Sequence, residues 1–513
     1  MLAEYVRLRA PQNHGQTLQS PPLSDGSSVV KRNQKVLAQY WGALESIRDI
    51  ARAELSEMAY QYSRQYSNVS ETGNVSSIVM AGHQPTLFHP GVWFKNFALD
   101  ALGKAANATA INLVVDNDLC GDTNVLCPQY VSGTAQVIRV PYDSAAVAVP
   151  HEMRPTIDRA TFLSFRQRLA TSIGSTVDAP LIDSLWPEVT SASGDLGLSA
   201  SIAAGRHRLE QKHGIGNLEL PVSHLSASKS FAMFVDLIAT EPLRFLEIYN
   251  QSLDEYRNTH RIRSRSHPVP ELESDGRWHE IPFWVWGKAS PQRRRVFASC
   301  RDDTVELSDR DQWTVSLKRN CFVSSFVELN QPGSGMFIRP RALATTMFSR
   351  LFASDLFIHG IGGAKYDQLG DVIMKRFFEV EPPKFMTMTA TMKLPLEFEN
   401  VTRQTVTELE VQMRKLRYRP EGQSTCEELK GRKSYLIENP PESGSRKLWH
   451  DEIAAINDQL FESLSEKRIK LEKEIARAKA ALPESKILGS REYSFALFSG
   501  ALVEQLRKLS VTF

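Results

Sequence analysis

Residues 76–118 constrain the fold of this chain more than any other stretch. They read SSIVMAGHQPTLFHPGVWFKNFALDALGKAANATAINLVVDND. An apolar run, Ile78 to Ala81, breaks into a loop rich in Gly, His and Pro. A helical segment follows from Trp93, and a second apolar run, Ile111 to Val115, ends in the acidic cluster Asp116-Asn117-Asp118. A strand–loop–helix–strand unit of this kind predicts a parallel sheet with ligand contacts at the strand ends. In the loop, His83, Gln84 and His89 can donate or accept hydrogen bonds. Gly82, Pro90 and Gly91 shape its backbone.

A chain of 513 residues is expected to form two or three domains. The net charge of +2, from 61 basic and 59 acidic side chains, argues against nucleic acid as the main partner. No apolar run is long enough to span a membrane, and the opening stretch lacks the apolar segment of a secretory signal. Five cysteines do not make a disulfide framework in a chain this long. A cytoplasmic protein acting on small-molecule substrates is expected.

The rest of the chain divides by pattern. Residues 10–30, rich in Gln, Pro, Ser and Gly, predict a surface arm. From Lys35 to Met58, apolar residues at three- and four-residue steps predict one long helix, followed by a polar separator at 67–74. Residues 135–141 suit a third strand, 158–260 read as mostly helical, and 217–220 suit a short strand. Residues 283–286 and 295–298 predict a hairpin. Phe337-Ile338 precedes a helix near 343–352. Asp355 to His359 reads as a strand running into a Gly loop. A helix over 367–378 and a strand over 384–388 follow. Val406, Leu409, Met413 and Leu416, then Ile453 to Ile475 beyond a polar loop at 419–447, predict an antiparallel coiled-coil arm.

In their order these features resemble the BshC family, the cysteine-adding enzymes of bacillithiol biosynthesis. The resemblance rests on Gly82-His83-Gln84-Pro85, Leu87, Pro90-Gly91 and Lys95, then on Asp116-Asn117-Asp118 and the hairpin region 283–306. It continues through Arg339-Pro340, the segment Phe357 to Tyr366 with its glycines, the coiled coil, and an aromatic helix at 491–498. His83 stands where that family usually has Gln, the acidic cluster lacks its His, and Gly363 replaces an acidic residue. A shorter likeness, over 83–118, is to the WbqC-like proteins found near glycan-synthesis genes.

The resemblance implies an α/β fold: a Rossmann-like parallel core similar to nucleotidyl-transferases, with an inserted hairpin and helical region and a C-terminal coiled coil. The expected divisions are an arm and long helix over 1–74, a core over 75–400 with an insertion at 158–335, the coiled coil over 401–485, and a helix packing back over 486–513. The implied activity is a ligase that adds cysteine or a similar amino acid to an amine of a sugar conjugate. ATP activates the carboxylate, Mg²⁺ is a possible companion, and the coiled coil makes a homodimer. The alternatives are a WbqC-like transferase using a nucleotide-sugar and a non-catalytic coiled-coil assembly protein.

On that reading His83, His89, Asp116 and Asp118 are the catalytic candidates. The imidazoles meet charge on a transferring group, and the carboxylates hold the acceptor. Gly82, Gln84, Lys95, Arg339, His359, Gly360, Gly362, Gly363, Lys365 and Tyr366 are the candidate binding residues. A loop feeding a helix start offers unpaired N–H groups, glycines allow close backbone approach, and arginine grips oxyanions bidentately. Trp284 and Trp286 read as strand packing, Arg293 to Arg295 as a solvated turn, Cys120 and Cys127 as buried thiols. No structural-metal spacing is present.

Overall fold

A computed structural model describes residues 8–69, 77–194, 196–331, 333–442 and 444–511. The first seven residues and most of the polar separator expected at 67–74, from residue 70 on, lie outside the described residues. The chain divides into two compact units. One takes Met1–Cys127, Arg139–Met392 and Arg491–Phe513; the other takes Pro128–Ile138 and Lys393–Ser490.

The first unit is mixed α/β. Its central sheet has six strands, in the order Gln16–Ser20, Met386–Thr391, Leu356–His359, Ile78–His83, Thr109–Val114, Leu218–Pro221. The last five are parallel, and Gln16–Ser20 closes one edge antiparallel to Met386–Thr391. Strands covered on both faces read as unbroken apolar runs, and Ile78 to Ala81 are all fully buried. Ile78 and Met80 join the core formed with Ile47, Ala51 and Leu55 of helix Ala43–Ser63 and with Leu369 and Ile373 of helix Ile361–Phe377. His83 shares the opposite, alternating face of Val79 and Ala81. Its ring meets Asn96 on helix Pro90–Ala106.

Numbered in chain order, the five parallel strands lie side by side as 3-2-1-4-5. The first strand therefore sends its connection one way, through helix Pro90–Ala106 to Thr109–Val114. The fourth sends its connection the other way, through helix Ile361–Phe377 to Met386–Thr391. Strands 1 and 4 are neighbours, so the chain reverses direction between Ile78–His83 and Leu356–His359. A second, antiparallel sheet of five strands has the order Thr314–Lys318, Thr304–Ser308, Arg294–Arg301, His279–Gly287, Met336–Pro340. The predicted hairpin forms its centre.

Several expectations are corrected. The surface arm at 10–30 instead supplies the edge strand and the start of helix Gly26–Leu37, with Leu23 and Val30 buried. An edge strand needs a partner on one side only, so its polar text does not betray it. The long helix over 35–58 is two helices, Gly26–Leu37 and Ala43–Ser63. The break falls at Gly42, whose φ of 63° suits glycine. Residues 135–141 do not join the central sheet. They pair with Asn124–Val131 across a tight turn with positive φ at Ser132 and Gly133. Residues 218–221, placed within the insertion, are a strand of the central sheet, and helix Ala43–Ser63, placed outside the core, packs on it. The aromatic helix at 491–498 is one turn, Phe495–Leu497, and the closing helix is Ala501–Val511.

The second unit is helical apart from its share of that hairpin. Its helices are Arg403–Tyr418, Glu427–Glu438, Arg446–Glu462 and Ser465–Leu488. The expected polar loop at 419–447 thus contains a helix, and the expected second helix is interrupted at Ser463-Leu464. Val406 and Ala478 are buried together, with Leu409, Ala481 and Leu482 against them. Among the described residues, no helix is long and apolar enough to cross a membrane.

Candidate functional site

Where neighbouring parallel strands send their connections in opposite directions, a crevice opens at their carboxyl ends. Here a cavity of about 510 Å³ lies at that place, a size suited to a small molecule. Its walls include His83, Gln84, Lys95, Asn117, Asp118, His359, Gly360, Gly363 and Tyr366. Apolar cover comes from Phe88, Leu113, Leu343 and Phe357, and Trp284 and Arg341 reach in from the second sheet.

His83 ends the first strand and is buried. Its Nε2 lies 2.9 Å from Oδ1 of Asn96. The Asn96 amide has a fixed orientation, because its Nδ2 donates to Oε1 of Glu210 at 2.8 Å. That carboxylate also accepts from Trp93 Nε1 (2.6 Å) and from Nη1 of Arg206 (2.9 Å). Asn96 therefore turns an acceptor toward His83, and Nε2 must carry the ring proton. The other nitrogen, Nδ1, is then bare. It lies 3.2 Å from the carbonyl of Gln84, which is also an acceptor. Burial, with the cations Arg206 and Lys95, holds the imidazole pKa well below its usual range, so the ring is neutral.

His359 ends the neighbouring strand with the same arrangement and a different partner. Its Nε2 is 2.7 Å from Oδ2 of Asp367. Arg350 Nη1 reaches that same oxygen at 2.7 Å, and Thr346 Oγ1 donates to Oδ1 at 2.8 Å. Burial pushes the Asp367 carboxyl up, but Arg350 and His359 prevail and hold it far below the carboxylate range. The ionised carboxylate fixes the proton on Nε2. Nδ1 of His359 faces Gly363, where an added Cβ would sit only 2.7 Å away.

Gly360, Gly362 and Gly363 were expected in a loop. They instead open helix Ile361–Phe377, with Gly360 as its N-cap and no side chain capping the first N–H groups. Those amides and the helix dipole favour an anion. Lys95 supplies a cation. Its Nζ donates to the carbonyl of Gly82 at 2.5 Å, it is buried, and burial lowers its pKa to about 8. Tyr366 lines the same wall. Burial, with the carboxylates of Asp367 and Asp118, pushes its phenol up to about 12, so it remains a donor. Asp118 accepts from Gln84 Nε2 (2.5 Å) and Arg293 Nη1 (3.0 Å). Asn117 donates to the carbonyl of Pro340 at 2.7 Å, while its buried Oδ1 has no partner among the described residues.

Other candidates lie away from the cavity. His89 caps helix Pro90–Ala106: its Nδ1 accepts from Gly91 N at 3.0 Å, Nε2 faces Glu492, and burial lowers its pKa to about 4. Asp116 accepts from the backbone and hydroxyl of Ser223. Burial, against those bonds and Arg339, raises its pKa. Arg339 is gripped by Glu152, with Nε–Oε1 at 3.0 Å and Nη2–Oε2 at 2.9 Å. Gly362 is exposed, and Lys365 sits outside the lining, its carbonyl accepting from Tyr256. Cys127 and Cys120 are buried.

The residues not anticipated are Asp367, Asn96 and Trp284, while Arg341 is the second of the two arginines flanking Pro340, either of which the sequence offers for an oxyanion. Arg341 lies over the Trp284 ring at 4.0 Å, with Arg293 at 5.1 Å from the same ring. It donates to Glu280 at 2.5 Å, and its buried Nε has no partner among the described residues. Asp367 falls within the helix that follows His359, a placement that only the early helix start reveals. Asn96 follows Lys95 directly.

No family model matches this chain, and no curated protein matches it. Lys95 and the first amides of helix Ile361–Phe377 are groups that suit one phosphate or carboxylate. Lys95 is matched to no carboxylate among the described residues, whereas Arg341 and Arg293 are already paired. Among the described residues no cluster of three His, Cys, Asp or Glu offers a metal site. Asp116 and Asp118 are committed to Ser223, Gln84 and Arg293, which does not fit a Mg²⁺ ion.

Proposed function

We propose that the protein is an amide-forming ligase that joins an amine to an activated carboxyl group in this cavity, the chemistry implied by its resemblance to the BshC family. The supporting observation is the convergence of His83, Lys95, His359 and Tyr366 at the point where the sheet reverses its winding. The strand order 3-2-1-4-5 favours describing the core as Rossmann-like.

On this reading Lys95 and the first amides of helix Ile361–Phe377 hold negative charge on the activated carboxyl group. They would take one phosphate of ATP, whose chemistry is to turn the carboxylate into a good acyl donor. Nδ1 of His359 takes the proton that the attacking amine loses as its nitrogen bonds to the acyl carbon and the leaving group departs with the electron pair. Asp367 stabilises the resulting imidazolium. Trp284, Phe88 and Phe357 exclude water from the acyl centre.

Thermal-shift measurements with ATP, ADP, cysteine and UDP-sugars test the reading. ATP with an amino acid should stabilise the protein, by about 2.7 kcal/mol at a hundredfold excess over Kd, and should leave a Lys95→Met variant unmoved. Stabilisation by UDP-sugars alone would replace the reading with a WbqC-like transferase. No response would replace it with a non-catalytic assembly protein.

The second unit is proposed to form the homodimer contact, as a coiled-coil arm. Exposed Tyr418, Tyr435, Ile437 and Leu448 on its helices support this. An unchanged sedimenting mass per chain after deletion of 401–485 would end that part of the proposal.

A further inference from the structure

The two nitrogens of His83 face two acceptors. Oδ1 of Asn96 cannot become a donor, because the Glu210 carboxylate fixes the amide. The Gln84 carbonyl is an acceptor by nature and already takes Thr86 N–H at 3.0 Å. A neutral imidazole has one N–H, so one of the two contacts sets a lone pair against a lone pair. An imidazolium would satisfy both. Its charge is opposed by burial, by Lys95 on the next helix, and by Arg206, which stands behind Glu210. The Asp118 carboxylate, on the far side of Gln84, is occupied by Gln84 and Arg293. Phe88 covers the ring 4.5 Å away, centroid to centroid. The geometry is thus ready for a second proton and lacks only a compensating negative charge. The cavity, with the ammonium of Lys95 unmatched inside it, is where that charge would bind.

We propose that the cavity binds a small oxyanion together with one proton, and that Nδ1 of His83 takes the proton. The inference rests on the anion-binding part of the function proposed above. The proton comes from solvent or from the ligand, one N–H bond forms at Nδ1, and the new donor closes onto the Gln84 carbonyl. No other covalent bond changes. Carboxylate and phosphate share the chemistry required, so the probes are acetate for the first and sulfate for the second. Neither probe titrates near neutrality.

Isothermal titration of the full chain with each probe, near pH 6.5 in two buffers of different ionisation enthalpy, counts the protons taken up. At that pH Lys95, with a pKa of about 8, is already charged and contributes little uptake. The wild type should take up about one proton per anion. His83→Gln keeps an amide in reach of Asn96, so it should bind the anion with uptake near zero. His359→Gln should retain the uptake. A larger effect with sulfate than with acetate assigns the phosphate source, and the reverse assigns the carboxylate. Absence of uptake in the wild type, uptake unchanged in His83→Gln, or uptake lost with His359 instead would each overturn the proposal. Failure of both probes to bind would overturn it as well. If the probes bind with uptake while ATP and amino acids give no thermal shift, this inference stands and the ligase reading falls.

Discussion

His83 and His359 end adjacent strands, carry the proton on the same ring nitrogen, and line one cavity. They differ in what holds them. His83 leans on a neutral amide with cations near it; His359 leans on a carboxylate that Arg350 keeps ionised. A partner's charge sets how readily an imidazole keeps a second proton. On the proposed function His359 is the proton acceptor, and on the further inference His83 is the group that answers an anion. Two like residues at like positions thus acquire different electrostatic settings from the layer behind them.

The largest effect that separates them should come from those supports. Asp367→Asn removes the carboxylate from a buried ion pair and should destabilise the protein by about 3–5 kcal/mol. Asn96→Ala removes an amide and its hydrogen bonds to His83 and to the Glu210 carboxylate but no charge, and should cost about 1–3 kcal/mol. Urea unfolding measures both, and the reverse order would break the comparison.

Gly363→Ala is next. Its methyl group would press on Nδ1 of His359, which Asp367 prevents from moving aside. We expect about 1–3 kcal/mol of destabilisation and a loss of turnover larger than that implies. Gly362→Ala, with open space around it, should be neutral or slightly stabilising in the same unfolding assay.

Acidity gives a graded effect. His83, His89 and His151 all have pKa values depressed by burial, the latter two to about 4. Between those values and the unfolded value of about 6.5, the unfolded chain binds more protons, so stability rises with pH. Over the window from pH 4 to 6.5, His151 alone should contribute about 3 kcal/mol. Replacing it with Gln should flatten the acid side of a stability–pH curve.

The smallest effect should come from Asp116→Asn, which lies off the cavity and should leave anion affinity unchanged. Asp118→Asn should alter it by releasing Arg293 and Gln84. Titration with sulfate compares the two.

The parallel core was legible because its strands are covered on both faces and read as unbroken apolar runs, as at Ile78 to Ala81. The strand ends at His83 and His359, and the turn after Val114 that carries Asp118, followed from it. Asp367 was not legible as a partner of His359. Two glycines at the helix start read as loop, although Gly363 is there because His359 leaves no room for a side chain. Arg339 and Arg341 flank one proline, and only the fold decides between them: Glu152 claims the first, and the turn into helix Ala342–Phe348 delivers the second to the cavity. Trp284 was read as packing because strand alternation fixes a side chain's face but not what lies beyond it.

The account stands or falls on whether the two imidazoles share one ligand cavity with Lys95. Side-chain ¹⁵N spectra of histidine-labelled protein, assigned with His83→Gln and His359→Gln, measure this directly as sulfate is added. Both resonances should move together in the wild type, and neither should move in Lys95→Met. Movement confined to other histidines, or undiminished without Lys95, would contradict it.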